Sequence, residues 1–192
     1  MSVVPSNLTQ GPATLYYAAF GTSAPADSAV TSPPGAGFTD VGGTQGGVML
    51  EVDLTYTDQT VDQLVDNVGG RLTKRTIQVT TQLAETTLAN LQFATNQLLT
   101  LSPQSGYSTA DMLTTTSATQ PTYATLIIDG WAPTTGTTES ACRRRIIVWK
   151  VLSQPKISLE YDMAKNGTYN TVFTAYYVSS GVSPIHVVDQ TT

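Results

Sequence analysis

The stretch that decides the fold is "VMLEVDLTYT", residues 48–57, in which apolar and polar side chains alternate without a break. The apolar side chains fall on one side of an extended chain, and Glu51 and Asp53 fall on the other. Because successive side chains of a strand point to opposite faces, this period of two predicts a β-strand with one buried face. Residues 74–84 repeat the alternation, and the polar face predicted there, at Gln78 for example, is almost free of charge.

The rest of the chain predicts mainly strands around a single helix. Leucines at helical spacing from Leu88 to Leu99 predict the helix, and Thr86 or Thr87 supplies its N-cap oxygen. Asn166-Gly167 predicts a hairpin turn between the last two strands. Further strands are predicted at 14–20, 122–131, 140–152, 156–163 and 169–179. Loops or arms are predicted at 21–47, 102–121 and 181–192, and a loop or a short strand and turn is predicted at 58–73.

Together these elements predict one domain over residues 1–192, of class α+β and mainly β. The expected build is an antiparallel β-sandwich or barrel with one flanking helix. Residues 21–47 are rich in Gly, Pro and Ser, and they are expected to form an arm or extended loop. Residues 181–192 are expected to form a C-terminal arm, with Ile185 and its neighbours available to dock on another surface.

The composition is poor in charge and rich in threonine. Charged residues make up 12% of the chain, against roughly 25% in a typical soluble domain, and 33 of the 192 residues are threonine. The 14 acidic residues outnumber the 9 Lys and Arg, and the net charge is −5. A sequence-independent nucleic-acid binder needs cations to neutralise phosphates, so the chain as a whole should repel DNA. The composition favours strands covered by copies of the same chain.

No arrangement of residues in the sequence points to catalysis. His186 is the only histidine and Cys142 the only cysteine, so no cluster has metal-ligand spacing. The sequence also has no nucleophile elbow, no phosphate-binding glycine loop and no dinucleotide fingerprint. We therefore expect no enzyme, no catalytic residue, no cofactor and no metal site. We expect no membrane anchor, since no apolar run is long enough, and no signal peptide at the start of the chain.

Three consecutive arginines stand in "ACRRRIIVWKVLS", residues 141–153. On a strand, Arg143 and Arg145 point one way and Arg144 points the other, so the three cannot share a face. Without basic neighbours or a ladder of stacking aromatic residues, a grip on nucleic acid is the weaker interpretation. Pairing with acidic loops, of the same subunit or of a neighbour, is the stronger one. The expected complement is the acidic loop of another copy, at Asp58, Asp62 and Asp66.

The order of these features resembles the major tail tube proteins of long-tailed bacteriophages. The resemblance is carried by "GPATLYYAAFG", "FTDVGGTQGGVMLEVDLTYTDQTVDQL", "GRLTKRTIQVTTQLAETTLANL", "RRRIIVWKVLSQPKISLEYD" and "YNTVFTAYYV". It implies a β-sandwich with one helix, assembled as hexameric rings that stack into a tube through which the genome leaves the virion. It also implies that the protein is made in the host cytoplasm and ends up in the phage tail.

The partners implied by the resemblance are further copies of the chain, the tape measure, tail terminator and distal tail proteins, and passing double-stranded DNA. The polar sides of the two alternating strands would then line the tube. The expected lumen-facing residues are Glu51, Asp53, Gln78, Thr80 and Gln82.

Two other functions remain open at this point. One is a tube subunit of another contractile or secretion machine. The other is a monomeric carbohydrate-binding β-sandwich on a virion surface, for which Trp131, Trp149 and Tyr161 would be the stacking aromatic residues.

Overall fold

The computed structural model describes residues 7–35, 37–112, 121–133, 142–154, 156–159 and 161–191 of the chain. These residues form ten strands, one α-helix and a short 3-10 turn at Asp27–Ala29. The strands are β1 (Thr14–Ala19), β2 (Thr39–Asp40), β3 (Thr44–Gln59), β4 (Gly69–Leu83), β5 (Leu99–Gln104), β6 (Tyr107–Met112), β7 (Ala124–Ala132), β8 (Cys142–Gln154), β9 (Tyr169–Ala175) and β10 (Ile185–Asp189). The helix is α1 (Leu88–Ala94).

Eight of the strands belong to one antiparallel sheet, in the order β2-β1-β7-β8-β9-β4-β3, with β10 also paired to β8. Strand β8 is long enough to have two neighbours on the same edge. Its residues 144–148 pair with β10, and its residues 151–154 pair with β9. Strands β5 and β6 form a separate hairpin. The prediction of a mainly β, antiparallel fold with one helix is confirmed.

The sheet curves around α1, and this curvature creates the core. Phe93 of the helix stacks on Tyr17 of β1 at 4.0 Å between ring centroids and on Phe173 of β9 at 4.8 Å. In a flat sheet β1 and β9, three strands apart, would be separated by roughly 14 Å. One ring can contact both strands only if the sheet bends towards the helix.

The start of α1 agrees with the sequence, but its end does not. Oγ1 of Thr87 accepts a hydrogen bond from the backbone N of Asn90, which is the predicted N-cap. The helix ends at Ala94 because Asn96 and Gln97 both have positive φ, at 55° and 59°. Leu99, predicted to be helical, is the first residue of β5.

The alternating segment forms a hairpin that is longer and more exposed than predicted. Strand β3 has 16 residues and β4 has 15, and only residues 60–68 separate them. The prediction that one face of 48–57 is buried is wrong beyond Leu50, because Val52 and Leu54 are 47% and 42% exposed. The reason is that β9 pairs with β4 only over 78–83, so the outer half of the hairpin extends past its neighbour.

Two other segments also differ from the prediction. The expected loop at 102–121 instead contains the end of β5 and all of β6, while its residues 113–120 lie outside the described part of the chain. The expected strand at 156–163 is not formed over its described residues, 156–159 and 161–163. Ile157 and Leu159 pack against the core without joining a ladder, so Asn166-Gly167 does not close a hairpin.

The segments expected to be arms lie on the sheet of their own chain. Val30 and Val41 are buried, and the backbone N of Val41 donates to the carbonyl of Leu15 at 3.1 Å. Nδ2 of Asn90 donates to the carbonyl of Val41 at 2.8 Å, which ties this segment to the helix. The C-terminal segment adds β10 to the edge of β8.

We predict that Phe93→Ala lowers the free energy of unfolding by about 3–5 kcal/mol, because it leaves a cavity between α1, β1 and β9. Tyr107→Ala is the matched control, since Tyr107 is 65% exposed on β6 and its removal opens no cavity. Urea unfolding of both variants measures the difference. Equal losses in the two variants would mean that the helix does not organise the core.

Candidate functional site: a polar sheet face and an arginine row

The five side chains predicted to line a lumen lie on one face of two neighbouring strands, β3 and β4, and β9 continues that face. Glu51 is opposite Gln78 in the β3–β4 register, and Gln78 is opposite Thr174 in the β4–β9 register. Nε2 of Gln78 donates to Oγ1 of Thr174 at 3.2 Å. Side chains two residues apart on a strand share a face, so the surface called the polar face below consists of Met49, Glu51, Asp53, Thr76, Gln78, Thr80, Gln82, Asn170, Val172 and Thr174.

The polar face carries two carboxylates, from Glu51 and Asp53, and no lysine or arginine. The next cation on the same side of the hairpin is Lys74, which is opposite Thr55, while Arg75, opposite Leu54, is on the other side. The remaining polar groups are hydroxyls and amides, which form hydrogen bonds without bringing charge. Such a surface repels phosphate weakly and offers it no cation to bind.

The outer half of the β3–β4 hairpin exposes several large apolar side chains. On the side opposite the polar face, Val52 and Leu54 are exposed, and Tyr56 further out is 57% exposed. Strand β3 is also the last strand of the sheet, so one row of its backbone N–H and C=O groups faces away from any strand partner. Long edge strands of this kind pair with other chains unless something covers them. The hairpin therefore has the properties of an interface.

Arg145 is used inside its own subunit. Its side chain is 2% exposed, and its guanidinium binds Asp129 with two hydrogen bonds, of 2.7 and 2.6 Å. The same guanidinium donates to the carbonyls of Ala29 and Ser32 at 3.2 and 2.6 Å. The expectation that Arg145 contacts another subunit is therefore wrong, because its donors are already occupied where it fastens residues 29–32 to the sheet.

Arg144 also has a partner within the chain, on β10. Its Nε and Nη2 donate to the two carboxylate oxygens of Asp189, both at 2.6 Å. These hydrogen bonds lower the pKa of the Asp189 carboxyl and raise the pKa of the Arg144 guanidinium. About a third of each side chain is exposed, so this ion pair fastens β10 without being sealed from water.

Arg143 is placed differently from the other two arginines. Its guanidinium lies over the ring of Trp131, 4.1 Å from the ring centroid, and the side chain is exposed. Within the described ranges of the chain, Arg143 forms no ion pair. Among the described residues, it is the one member of the row without a carboxylate partner.

The three aspartates expected to pair with the arginines lie at the far end of the hairpin. Asp58 is near the end of β3 and accepts a hydrogen bond from Nδ2 of Asn67 at 2.9 Å. Asp62 and Asp66 lie in the exposed turn. No ion pair joins any of these aspartates to an arginine within the described part of the subunit. The proposed pairing thus remains a prediction about contacts between copies.

Sequence reasoning did not find the partners of the arginines. Asp129 lies opposite Arg145 and Asp189 opposite Arg144, but only the strand register makes these pairs visible. Trp131 is one of the aromatic residues that could stack on a sugar, yet one face of its ring is covered by Arg143. Trp149 is six residues along β8 from Arg143, which faces Trp131, so roughly 20 Å separates the two tryptophans. They do not form one stacking platform.

No protein-family model matches the chain, and a search of curated proteins finds no match either. Across the described residues, no helix is both long enough and apolar enough to cross a membrane. The same residues contain no group of three His, Cys, Asp or Glu placed to hold a metal ion.

We predict that Arg145→Met lowers the free energy of unfolding by about 3–5 kcal/mol, because Asp129 would keep a partly buried charge without its partner. The double variant Arg145→Met with Asp129→Leu should lose less stability than the single variant, since it leaves no unpaired charge. Denaturant unfolding of the two variants gives the comparison. A double variant that is no more stable than the single one would show that the ion pair is not the source of the loss.

We predict that Arg144→Gln lowers the free energy of unfolding by about 0.2–1 kcal/mol at neutral pH, as for exposed ion pairs. The lowered pKa of Asp189 means that this stabilisation is present above the pKa of an unfolded Asp, about 3.9, and is lost as the pH falls through the folded pKa. The difference from the unchanged protein should therefore disappear in acid. A difference that stays constant from pH 7 to pH 2 would contradict this role for Asp189.

Proposed function

We propose that this protein is a tube-forming structural subunit of a bacteriophage tail, whose copies form rings with the polar face turned towards the lumen. The observation that carries the proposal is the β3–β4 hairpin, which has a charge-poor polar face on one side and exposed apolar side chains on the other. In a monomer the outer half of this hairpin is exposed to solvent. In a ring of copies, the polar face would line the lumen and the apolar side chains would pack against a neighbouring copy.

Closing strands into a shared barrel would satisfy the exposed edge of β3. In a closed barrel every backbone group finds a partner, and interior and exterior side chains alternate along each strand. Fully burying a side chain the size of Val52 or Leu54 is worth about 1.5–3 kcal/mol. Because every copy repeats the same contact around the ring, modest free energies of burial at each contact add up over the assembly.

The chemistry of the polar face suits the passage of DNA. Glu51 and Asp53 repel phosphate, and the amides and hydroxyls around them are neutral. The polar face therefore offers no cation to which the DNA phosphates could bind. The tube itself would be held together elsewhere, by the apolar side of the hairpin. The order of sequence features shared with tail tube proteins supports the same function.

Assembly is the first property to test. We predict that the purified protein forms rings or tubes in negative-stain electron microscopy and that Leu54→Glu abolishes them while the variant stays folded. Met112→Glu is the matched control, because Met112 is 64% exposed on β6, away from the hairpin, and its variant should assemble. A protein that stays a lone globule at high concentration would contradict the proposal.

The lumen assignment has a separate test. We predict that Glu51→Lys with Asp53→Lys assembles but retains double-stranded DNA in co-sedimentation, and that the retention falls steeply with added salt as counterion release requires. Tails carrying this double change should eject DNA slowly or stall. Single changes Asp53→Lys and Asp111→Lys are a matched pair, since Asp111 is exposed on β6. Equal DNA retention by both would place Asp53 outside the lumen.

A further inference from the structure

The pair Asn166-Gly167 predicts a hairpin turn that the structure does not form. Residues 161–168 join no strand, and β9 begins only at Tyr169. Asn166 is exposed and Gly167 is half-buried. Among the described residues, no hydrogen bond involves the side chain of Asn166 or the backbone N of Gly167. Within that part of the chain, the side-chain amide and the next backbone nitrogen therefore have no competing partner.

An asparagine followed by a glycine can react with its own backbone. The backbone N of the glycine attacks Cγ of the asparagine, a new C–N bond closes a five-membered succinimide, and the side-chain nitrogen leaves as ammonia with the proton that the backbone N gives up. Water then opens the succinimide at one of its two carbonyls, which gives aspartate or isoaspartate. Glycine favours the attack because it has no Cβ to obstruct it and because its backbone reaches more conformations.

The other asparagines of the chain are less suited to this reaction. Each of them is followed by a residue that has a side chain: Asn7, Asn67, Asn90, Asn96 and Asn170. The side-chain amides of Asn67, Asn90 and Asn96 are also held in hydrogen bonds within the chain. Asn170 lies in β9, where pairing with β4 fixes the backbone. Asn166 is thus the asparagine at which both the following residue and the fold favour ring closure.

We infer that Asn166 is a site of spontaneous deamidation in the folded protein, where it becomes aspartate or isoaspartate without an enzyme. The reaction needs only water and is not a redox step. The fold gives the site no protection, because an exposed segment outside the strand ladders reaches reactive conformations at almost no cost in free energy. The inference goes beyond the proposed function and does not depend on it.

The modified side chain lies beside the polar face. Asn166 lines a pocket together with Asp162, Lys165, Gln82 and Asn170, and the last two belong to the polar face. At this end of the polar face the strands contribute neutral amides. Deamidation replaces the amide of Asn166 by a carboxylate and adds one negative charge to a chain whose net charge is −5. The surface beside the polar face therefore becomes more repellent to phosphate as the protein ages.

Peptide mapping by mass spectrometry, after incubation of the purified protein at mildly alkaline pH, tests the inference. Chymotrypsin cuts after Tyr161 and Tyr169 and releases a peptide in which Asn166 is the only asparagine. The mass gain of this peptide measures deamidation, and protein digested without incubation corrects for reaction during the digest. We expect Asn166 to react at least about tenfold faster than each of the other asparagines, and within about threefold of its rate in the same protein unfolded in guanidinium chloride.

Two variants test the chemistry of the step. Gly167→Ala keeps the asparagine but adds a side chain beside the attacking nitrogen, so its deamidation should be several times slower. Asn166→Gln would have to close a six-membered ring and should stay unmodified over the same incubation. On anion exchange the incubated unchanged protein should elute later, together with Asn166→Asp, whereas incubated Asn166→Gln should elute as fresh protein does.

The outcomes separate this inference from the proposed function. An Asn166 that reacts no faster than the other asparagines, or that reacts only after unfolding, overturns the inference and leaves the proposed function standing. Deamidation of Asn166 in a protein that forms no rings or tubes supports the inference and overturns the proposed function. A Gly167→Ala variant that reacts as fast as the unchanged protein overturns the attack by the backbone N of residue 167.

Discussion

The β3–β4 hairpin is longer than the strand beside it, and the rest of the account depends on this mismatch. Strand β9 has seven residues and pairs with β4 over 78–83 only, while the hairpin continues outward to its turn at 60–68. A sheet strand gains stability from its neighbours on both edges and from cover on at least one face. Among the described residues, the outer half of the hairpin has a strand partner on one edge only, and its apolar side chains stay exposed.

The other features that sequence alone could assign to assembly are instead satisfied inside the subunit. Arg145 joins Asp129 to the carbonyls of residues 29–32, and Arg144 fastens β10 through Asp189. These ion pairs fix residues 29–32 and β10 to the sheet, within the two segments that the sequence predicts to be arms. Among the described residues they leave Arg143 as the member of the row without a carboxylate partner, and they leave the outer half of the hairpin exposed.

The sequence predicts well where strands and the helix begin. It predicts poorly which segments pack over a strand. Alternation located β3 and β4, and the N-cap oxygen of Thr87 located the start of α1, because both depend on near neighbours. Alternation also implied a buried face at Val52, which is exposed because burial depends on how far β9 extends. The partners of the arginines depend on the register of β7, β8 and β10. The sequence correctly predicts that Gln78 and Glu51 share a face, because this depends only on the register of a single hairpin.

Hydrogen–deuterium exchange tests most directly the claim that copies of the chain cover this hairpin. Amides of residues 51–76 should exchange quickly in dilute single subunits and at least about tenfold more slowly in the assembled state, because strand pairing between copies protects edge N–H groups. Amides of residues 78–83, which already have neighbours on both edges, should change little. Equal exchange of 51–76 in both states would show that the hairpin stays uncovered and would contradict the account.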